Sequence, residues 1–105
     1  MQLIVLDFET YYTSKDLGFK TQTTEEYVRD PRFEVIGVAV KVNDEPTQWC
    51  SDSLDEIDLW LHQFDWGNSM VVAHNAMFDM AILNWHFDIR PKAIADTLSM
   101  ARAIN

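Results

Sequence analysis

Three carboxylates occupy places in this sequence where a divalent cation could bind. Asp7 and Glu9 end the first apolar run, and Asp79 ends the segment His-Asn-Ala-Met-Phe-Asp at residues 74–79. Residues two apart in a β-strand project from the same face, so Asp7 and Glu9 are expected to point the same way. Such a pair of carboxylates favours a cation, and hard oxygen ligands suit Mg²⁺ or Mn²⁺ better than Zn²⁺. This pairing is what a magnesium-dependent nuclease needs.

The alternative is that the Asp-x-Glu triplet arises by chance at an ordinary strand end. The chain has 17 acidic residues among its 105, which makes such triplets common. Against this, residues 3–8 are an almost unbroken apolar run, which predicts a central strand buried on both faces. Carboxylates at the end of such a strand indicate a function. Glu56 and Asp58 have the same spacing but lie in a predicted helix, on nearly opposite faces, so we exclude a second site there.

Asp79 also has a structural alternative. It falls in the first turn of a predicted helix, where the helix dipole favours a carboxylate without any ligand. The preceding His74 and Asn75, together with the distant Asp-x-Glu triplet, favour the metal site.

Length and composition predict one soluble domain. The chain has 105 residues, of which 48% are hydrophobic, enough for a core. Its apolar runs are shorter than a membrane span, and no basic segment precedes the first strand, so neither an anchor nor a signal peptide is expected. Cys50 is the only cysteine, which excludes an internal disulfide and a cysteine zinc cluster.

The net charge of −9 has the wrong sign for a protein that holds nucleic acid by its own basic surface. Bound cations would neutralise only the acidic site itself. Five basic residues stand in the first half of the chain, namely Lys15, Lys20, Arg29, Arg32 and Lys41. We therefore expect most of any DNA affinity to come from elsewhere.

The hydrophobic periodicity and the turn residues predict an α/β sheet with helices on its faces. Strands are predicted at residues 2–8, 33–42, 47–51 and 70–73, helices at 54–65, 75–86 and 97–104, and a helical turn at 24–29. Ser53 to Glu56 has the form of a capping box. Residues 89–94 are expected to be irregular, with Asp96 as the cap of the last helix. This layout places Asp79 near the end of the first strand.

Residues 7–10, Asp-Phe-Glu-Thr, resemble the first motif of the DEDD 3′–5′ exonucleases of the DnaQ-like, ribonuclease H-like superfamily. Residues 75–79, Asn-Ala-Met-Phe-Asp, resemble the second motif, and residues 96–102 are similar to the segment that follows it. The narrower resemblance is to the proofreading domain at the amino end of phage and bacterial family-A DNA polymerases. It implies a ribonuclease H-like mixed sheet flanked by helices, with residues 1–105 as the N-terminal portion of a single exonuclease domain.

The resemblance also implies roles for individual residues. Asp7, Glu9 and Asp79 would be catalytic ligands of two Mg²⁺ or Mn²⁺ ions that activate water against the last phosphodiester. Thr10 and Asn75 would contact the 3′-terminal nucleotide. Phe78 would help to set the substrate pocket, with simple core packing as the alternative. The implied substrate is a single-stranded DNA 3′ end, in the cytoplasm of a bacterial or phage-infected cell, without a membrane.

The chain departs from the family at the third motif. That motif supplies a fourth carboxylate and a histidine or tyrosine, and residues 1–105 do not contain it. Asp96 matches a different place in the pattern. We therefore expect a C-terminally truncated domain that is weakly active or inactive alone, and that works with a polymerase domain or a complementary chain. The alternative is a non-catalytic, nuclease-like module that docks on a polymerase or a partner chain.

Overall fold

The central strand β1, Gln2–Thr10, organises a five-stranded mixed sheet in this computed structural model, which describes residues 1–13 and 15–97. The other elements are α1 (Thr24–Arg29), β2 (Val35–Val42), β3 (Gln48–Cys50), α2 (Leu54–Leu61), β4 (Ser69–Ala73), α3 (Ala76–Phe87) and β5 (Ala93–Asp96). The strand order is β3-β2-β1-β4-β5. The first three strands are antiparallel, and β4 and β5 run parallel to β1. No helix of the described residues is long and apolar enough to cross a membrane.

β1 pairs along different lengths with its two neighbours. Its pairing with β2 extends from Ile4 to Thr10, whereas its pairing with β4 extends only from Gln2 to Val5. The carboxyl half of β1 therefore continues past the paired part of β4. This leaves space beside β1 for a side chain from the helix that follows β4.

β1 is buried on one face only, so the prediction of burial on both faces is wrong. Ile4, Leu6 and Phe8 are buried, whereas Leu3 and Val5 are 42% and 41% exposed. The helices α1, α2 and α3 contribute to the core on the first face, through the buried residues Val28, Ile57, Leu61, Ile82, Leu83 and Phe87. The apolar run could not reveal this, because its residues are apolar on both faces.

Helix ends follow local hydrogen bonds. Thr23 and Glu26 form a reciprocal capping box at α1, which begins and ends as predicted. The predicted helix at residues 54–65 ends earlier, at Leu61, where the indole N–H of Trp66 donates to the Leu61 carbonyl at 2.7 Å. α3 ends at Phe87, and the residue that caps it, Asp88, has a left-handed φ of 52°.

Residues 89–94 are not irregular throughout, because Ala93 and Ile94 begin β5. This strand pairs with β4 from Met70 opposite Ala93 to Ala73 opposite Asp96. Asp96 is thus the last residue of this strand, and its predicted role as the cap of a following helix stays a prediction. Two alanines in so short a strand give little local signal, and the pairing with β4 decides its conformation. The predicted helix at residues 97–104 lies outside the described residues, apart from Thr97.

Candidate functional site

Asp79 lies against β1. It is in the first turn of α3, is only 4% exposed, and accepts a hydrogen bond through Oδ1 from the backbone N–H of Phe8 at 3.1 Å. Phe8 stands between Asp7 and Glu9, and its amide lies beyond the part of β1 that pairs with β4. The structure therefore places Asp79 beside the part of β1 that carries Asp7 and Glu9.

The carboxyl group of Asp79 has a raised pKa, because the surroundings disfavour its ionised form. Burial raises its pKa to about 7, the hydrogen bond from the Phe8 amide opposes that rise, and the negative charges of Asp7 and Asp96 add to it. Three acidic side chains thus affect one another at this edge of the sheet. A cation placed here would favour the ionised form of Asp79.

Asp7 and Glu9 project from the same exposed face of β1, as their spacing predicts. Asp7 pairs with Ala39 and Glu9 with Gly37, so both lie within the ladder with β2. β1 continues to Thr10, and the two carboxylates are therefore in the strand and not at the point where it ends. Their exposure leaves both side chains free to rotate.

No preformed cation site is present among residues 1–13 and 15–97. In that part of the chain, no group of three or more His, Cys, Asp or Glu side chains is close enough to hold a metal ion. The binding of Mg²⁺ or Mn²⁺ by Asp7, Glu9 and Asp79 stays a prediction. Carboxylate oxygens suit a hard cation, and the buried Asp79 carboxyl lies near the negative charges of Asp7 and Asp96.

A pocket of about 350 Å³ opens beside Glu9 and Thr10. Its wall is mainly aromatic, from Tyr12, Phe19, Tyr27 and Phe78, and Lys20 is the basic side chain that lines it. The structure therefore places Thr10 and Phe78, two of the predicted substrate contacts, in one cavity.

The aromatic wall is built by contacts between distant segments. The rings of Tyr27 and Phe78 are nearly parallel with centroids 6.0 Å apart, and the ring of Phe19 meets both edge-on, at 5.3 and 4.9 Å. The Tyr27 hydroxyl also pairs with Oγ1 of Thr10 at 2.8 Å and donates to the Tyr11 carbonyl. Phe78 packs on the core as well as on the pocket, so both interpretations of this residue are compatible with its position.

Asn75 does not line this pocket. It is exposed at the start of α3, and its side chain makes no capping hydrogen bond. The ring of the neighbouring His74 reaches Thr97 Oγ1 at 3.2 Å, a contact that joins the ends of β4 and β5.

Sequence reasoning missed Tyr12, Phe19, Lys20 and Tyr27 as pocket residues. They lie in or beside a polar stretch that carries no periodic pattern and was predicted to be mostly loop. The available signal was the spacing of aromatic and basic residues immediately after the Asp-Phe-Glu-Thr segment, a combination that suits nucleotides.

Neither protein-family models nor curated proteins give a match to this chain. The assignment of a function therefore depends on the residues and geometry described above.

Proposed function

We propose that this chain is the N-terminal part of a DEDD-type 3′–5′ exonuclease with a ribonuclease H-like fold. It would remove nucleotides from the 3′ end of single-stranded DNA. The single observation that carries the proposal is the position of Asp79, buried against the Phe8 amide between Asp7 and Glu9. The order of three antiparallel strands, with α1 between the first two, followed by α2, the parallel strand β4 and α3, supports the same fold.

In this proposal Asp7, Glu9 and Asp79 hold the catalytic cations. When bound, two Mg²⁺ or Mn²⁺ ions supply the activation of the attacking water and the neutralisation of the departing 3′ oxygen. Asp7 and Glu9 would hold the ions together with Asp79, and the positive charge would favour the ionised form of the Asp79 carboxyl. The hydrogen bond from the Phe8 amide keeps Asp79 aligned in both states.

The aromatic pocket takes the terminal base. A cavity of about 350 Å³ has room for one nucleoside, and its rings offer faces and edges on which any base can pack. Thr10 and Glu9, which is itself one of the three carboxylates, line the pocket, and Lys20 supplies a positive charge for a phosphate. A base can reach such a pocket only when it is unpaired, which favours single-stranded ends.

Charge explains why the chain would depend on a partner. The net charge is −9, and Arg29, Arg32 and Arg90 already pair with Glu25, Asp30 and Asp88 in the structure. The basic surface that holds the rest of the strand would come from a polymerase domain or a complementary chain. The fourth carboxylate of the DEDD set would come from the same source.

An assay on a 5′-labelled oligonucleotide tests the proposal. With Mg²⁺, the chain joined to or mixed with its complement should shorten single-stranded DNA by one nucleotide at a time, whereas residues 1–105 alone should show little activity. Asp7→Asn and Asp79→Asn should abolish trimming, and Asp55→Asn, an exposed acid in α2, should not. Internal cutting, or no cutting by the complete assembly, would overturn the assignment. Parallel DNA and RNA substrates identify the sugar.

The second candidate is a non-catalytic module that docks on a polymerase or partner chain. Two observations favour it: no cation-binding group is preformed in the described residues, and Leu3 and Val5 expose apolar surface on the open face of the sheet. The module hypothesis expects the complete assembly to form stably and to bind DNA without trimming it, and it expects Asp79→Asn to leave both properties unchanged.

A further inference from the structure

Residues 15–22, named here the wall segment, form one side of the aromatic pocket. Gly18, Phe19 and Lys20 line the cavity from this segment. The segment contains no helix or strand, and its one fully buried apolar side chain is Leu17, at 1% exposure. Besides the packing of the Phe19 ring on the pocket wall and backbone hydrogen bonds to the Gly18 carbonyl, side-chain contacts at its two ends hold the segment in place.

Arg32 holds the first end. Its guanidinium contacts Asp16 of the wall segment, Nη1 to Oδ2, at 2.9 Å. The same group forms a two-pronged contact with Asp30, with Nε at 3.0 Å from Oδ1 and Nη2 at 2.9 Å from Oδ2. This fork, with the Arg32 backbone N–H, holds the pKa of Asp30 well below its usual range.

Gln22 holds the other end through the same carboxylate. Its Nε2 donates to Oδ2 of Asp30 at 2.9 Å, and its Oε1 accepts from the Gly18 N–H at 3.0 Å. Asp30 thus connects the end of α1 to both ends of the wall segment, and Arg32 neutralises it. Without Arg32, Asp16 and Asp30 would be two unpaired negative charges beside each other.

We propose that Arg32 is a positioning residue for ligand binding in the aromatic pocket. It does not line the cavity, and it acts by setting where Phe19 and Lys20 stand. The ligand class, a nucleoside 5′-monophosphate or the terminal nucleotide of a strand, rests on the proposed function. Arg32 is half exposed, so its loss should change the pocket much more than the stability of the whole domain.

The test uses three variants and a matched control. Arg32→Gln removes the fork, Arg32→Lys keeps the charge without the planar fork, and Asp16→Asn removes only the partner in the wall segment. Arg90→Gln is the control, because Arg90 pairs with Asp88 at the same two-residue spacing and lies outside the pocket. Calorimetric titration with deoxythymidine 5′-monophosphate in the presence of Mn²⁺ measures affinity.

Cleavage by endoproteinase Lys-C, followed by mass spectrometry, measures the wall segment directly. The enzyme cuts after lysine, so Arg32→Gln removes no cleavage site, and the one site that Arg32→Lys adds is told apart from the others by fragment mass. Lys15 and Lys20 lie in the wall segment, and Lys41 in β2 and Lys92 before β5 serve as internal references.

Arg32→Gln should weaken nucleotide binding by roughly fivefold to tenfold, as expected for a charge-assisted network at a partly exposed site. Cleavage after Lys15 and Lys20 should accelerate several-fold relative to Lys41. Arg32→Lys should restore part of the affinity and part of the protection from cleavage. Asp16→Asn should weaken binding and speed cleavage in the same way, although Arg32 is unchanged. The double variant Asp16→Asn/Arg32→Gln should be no worse than Arg32→Gln, because both changes break one network.

The outcomes separate this inference from the proposed function. Unchanged affinity and unchanged Lys-C cleavage in Arg32→Gln, or equal losses in Arg90→Gln, would overturn the positioning role. If Arg32→Gln does not fold, Asp16→Asn gives the same decision. If the parent chain binds no nucleotide while Arg32→Gln still exposes Lys15 and Lys20, the ligand class fails and the structural role of Arg32 stands. The oligonucleotide assay on the complete assembly alone decides the proposed function.

Discussion

The backbone amide of Phe8 donates to Oδ1 of Asp79 across 3.1 Å and joins residues that are 71 positions apart in the sequence. This bond fixes the first turn of α3 to the middle of the sheet. It also gives Asp79 a structural task in addition to any catalytic one, since the amide would otherwise be buried without a partner. Substitutions at this position must therefore distinguish charge from hydrogen bonding.

Asp79→Asn should stabilise the cation-free chain, and Asp79→Ala should not. Asparagine keeps an oxygen that accepts from the Phe8 amide, and it removes a buried carboxylate; near pH 8 we expect a gain of roughly 1–3 kcal/mol. Alanine leaves the amide unsatisfied, which costs about 1–3 kcal/mol. Urea unfolding in the presence of a chelator measures both. An alanine variant more stable than the asparagine variant would contradict this account.

The stability of the cation-free chain should fall as pH rises through the acid-to-neutral range. The pKa of Asp79 is about 7 in the folded chain and 3.8 as its ordinary value, so between these values the folded state binds more protons than the unfolded state. The stabilisation is complete below about pH 4 and is lost as the pH passes about 7. Comparing the parent with Asp79→Asn isolates this contribution, and a difference that does not vary with pH would refute it.

Mn²⁺ or Mg²⁺ should raise the melting temperature through binding to the folded state. Asp7→Ala should abolish that rise and should also stabilise the cation-free fold, because the charge of Asp7 raises the pKa of Asp79. Asp55→Ala removes an exposed acid of α2 and should behave like the parent. Differential scanning calorimetry decides the matter. A flat response to millimolar Mn²⁺ would count against a cation site, and loss of the fold in Asp7→Ala would indicate a structural role instead.

Substitutions at Gly37 and Trp49 should have non-additive effects on the free energy of unfolding. A Cβ at position 37 would lie 2.3 Å from Cζ2 and 2.6 Å from Cη2 of the Trp49 ring, so the indole would have to move away. Gly37→Ala should cost about 1–3 kcal/mol in the parent. The cost should be smaller in a Trp49→Ala background, where the nearby Cys50 carbonyl is the remaining contact at 3.0 Å. Equal costs in the two backgrounds, measured by urea unfolding, would contradict this steric account.

The sequence predicted those elements whose signals are local. The helical turn at α1, the hairpin of β2 and β3, and α3 within a residue at each end follow from periodicity and turn residues. At α2, Ser53 accepts from the Glu56 amide at 3.3 Å, but the Ser53 N–H donates to Oδ1 of Asp52 and not to Glu56, so half of the predicted capping box forms. The short strand β5 was missed because its conformation depends on pairing with β4, which no local pattern encodes.

The candidate site was predictable in its acidic part and not in its pocket. The same-face arrangement of Asp7 and Glu9 follows from the two-residue period of a strand. The contact of Phe19 with Tyr27 and Phe78 depends on how an irregular segment folds back over α1 and α3, and it has no periodicity to detect. The one-sided burial of β1 was likewise set by where the helices pack, not by the residues of the strand.

The site has two parts that differ in local stability, namely the acidic edge on the central strand β1 and the wall segment of the pocket. Leu6 and Phe8 belong to a strand paired on one side with β2 and fixed on the other by β4 and Asp79, so their amides should exchange with deuterium only when the domain unfolds. The wall segment contains no helix or strand and has Leu17 as its one fully buried apolar side chain, so its amides can exchange through local opening. Surface substitutions can therefore retune the pocket over many variants, whereas the place of Asp79 against the Phe8 amide can change only when the core opens.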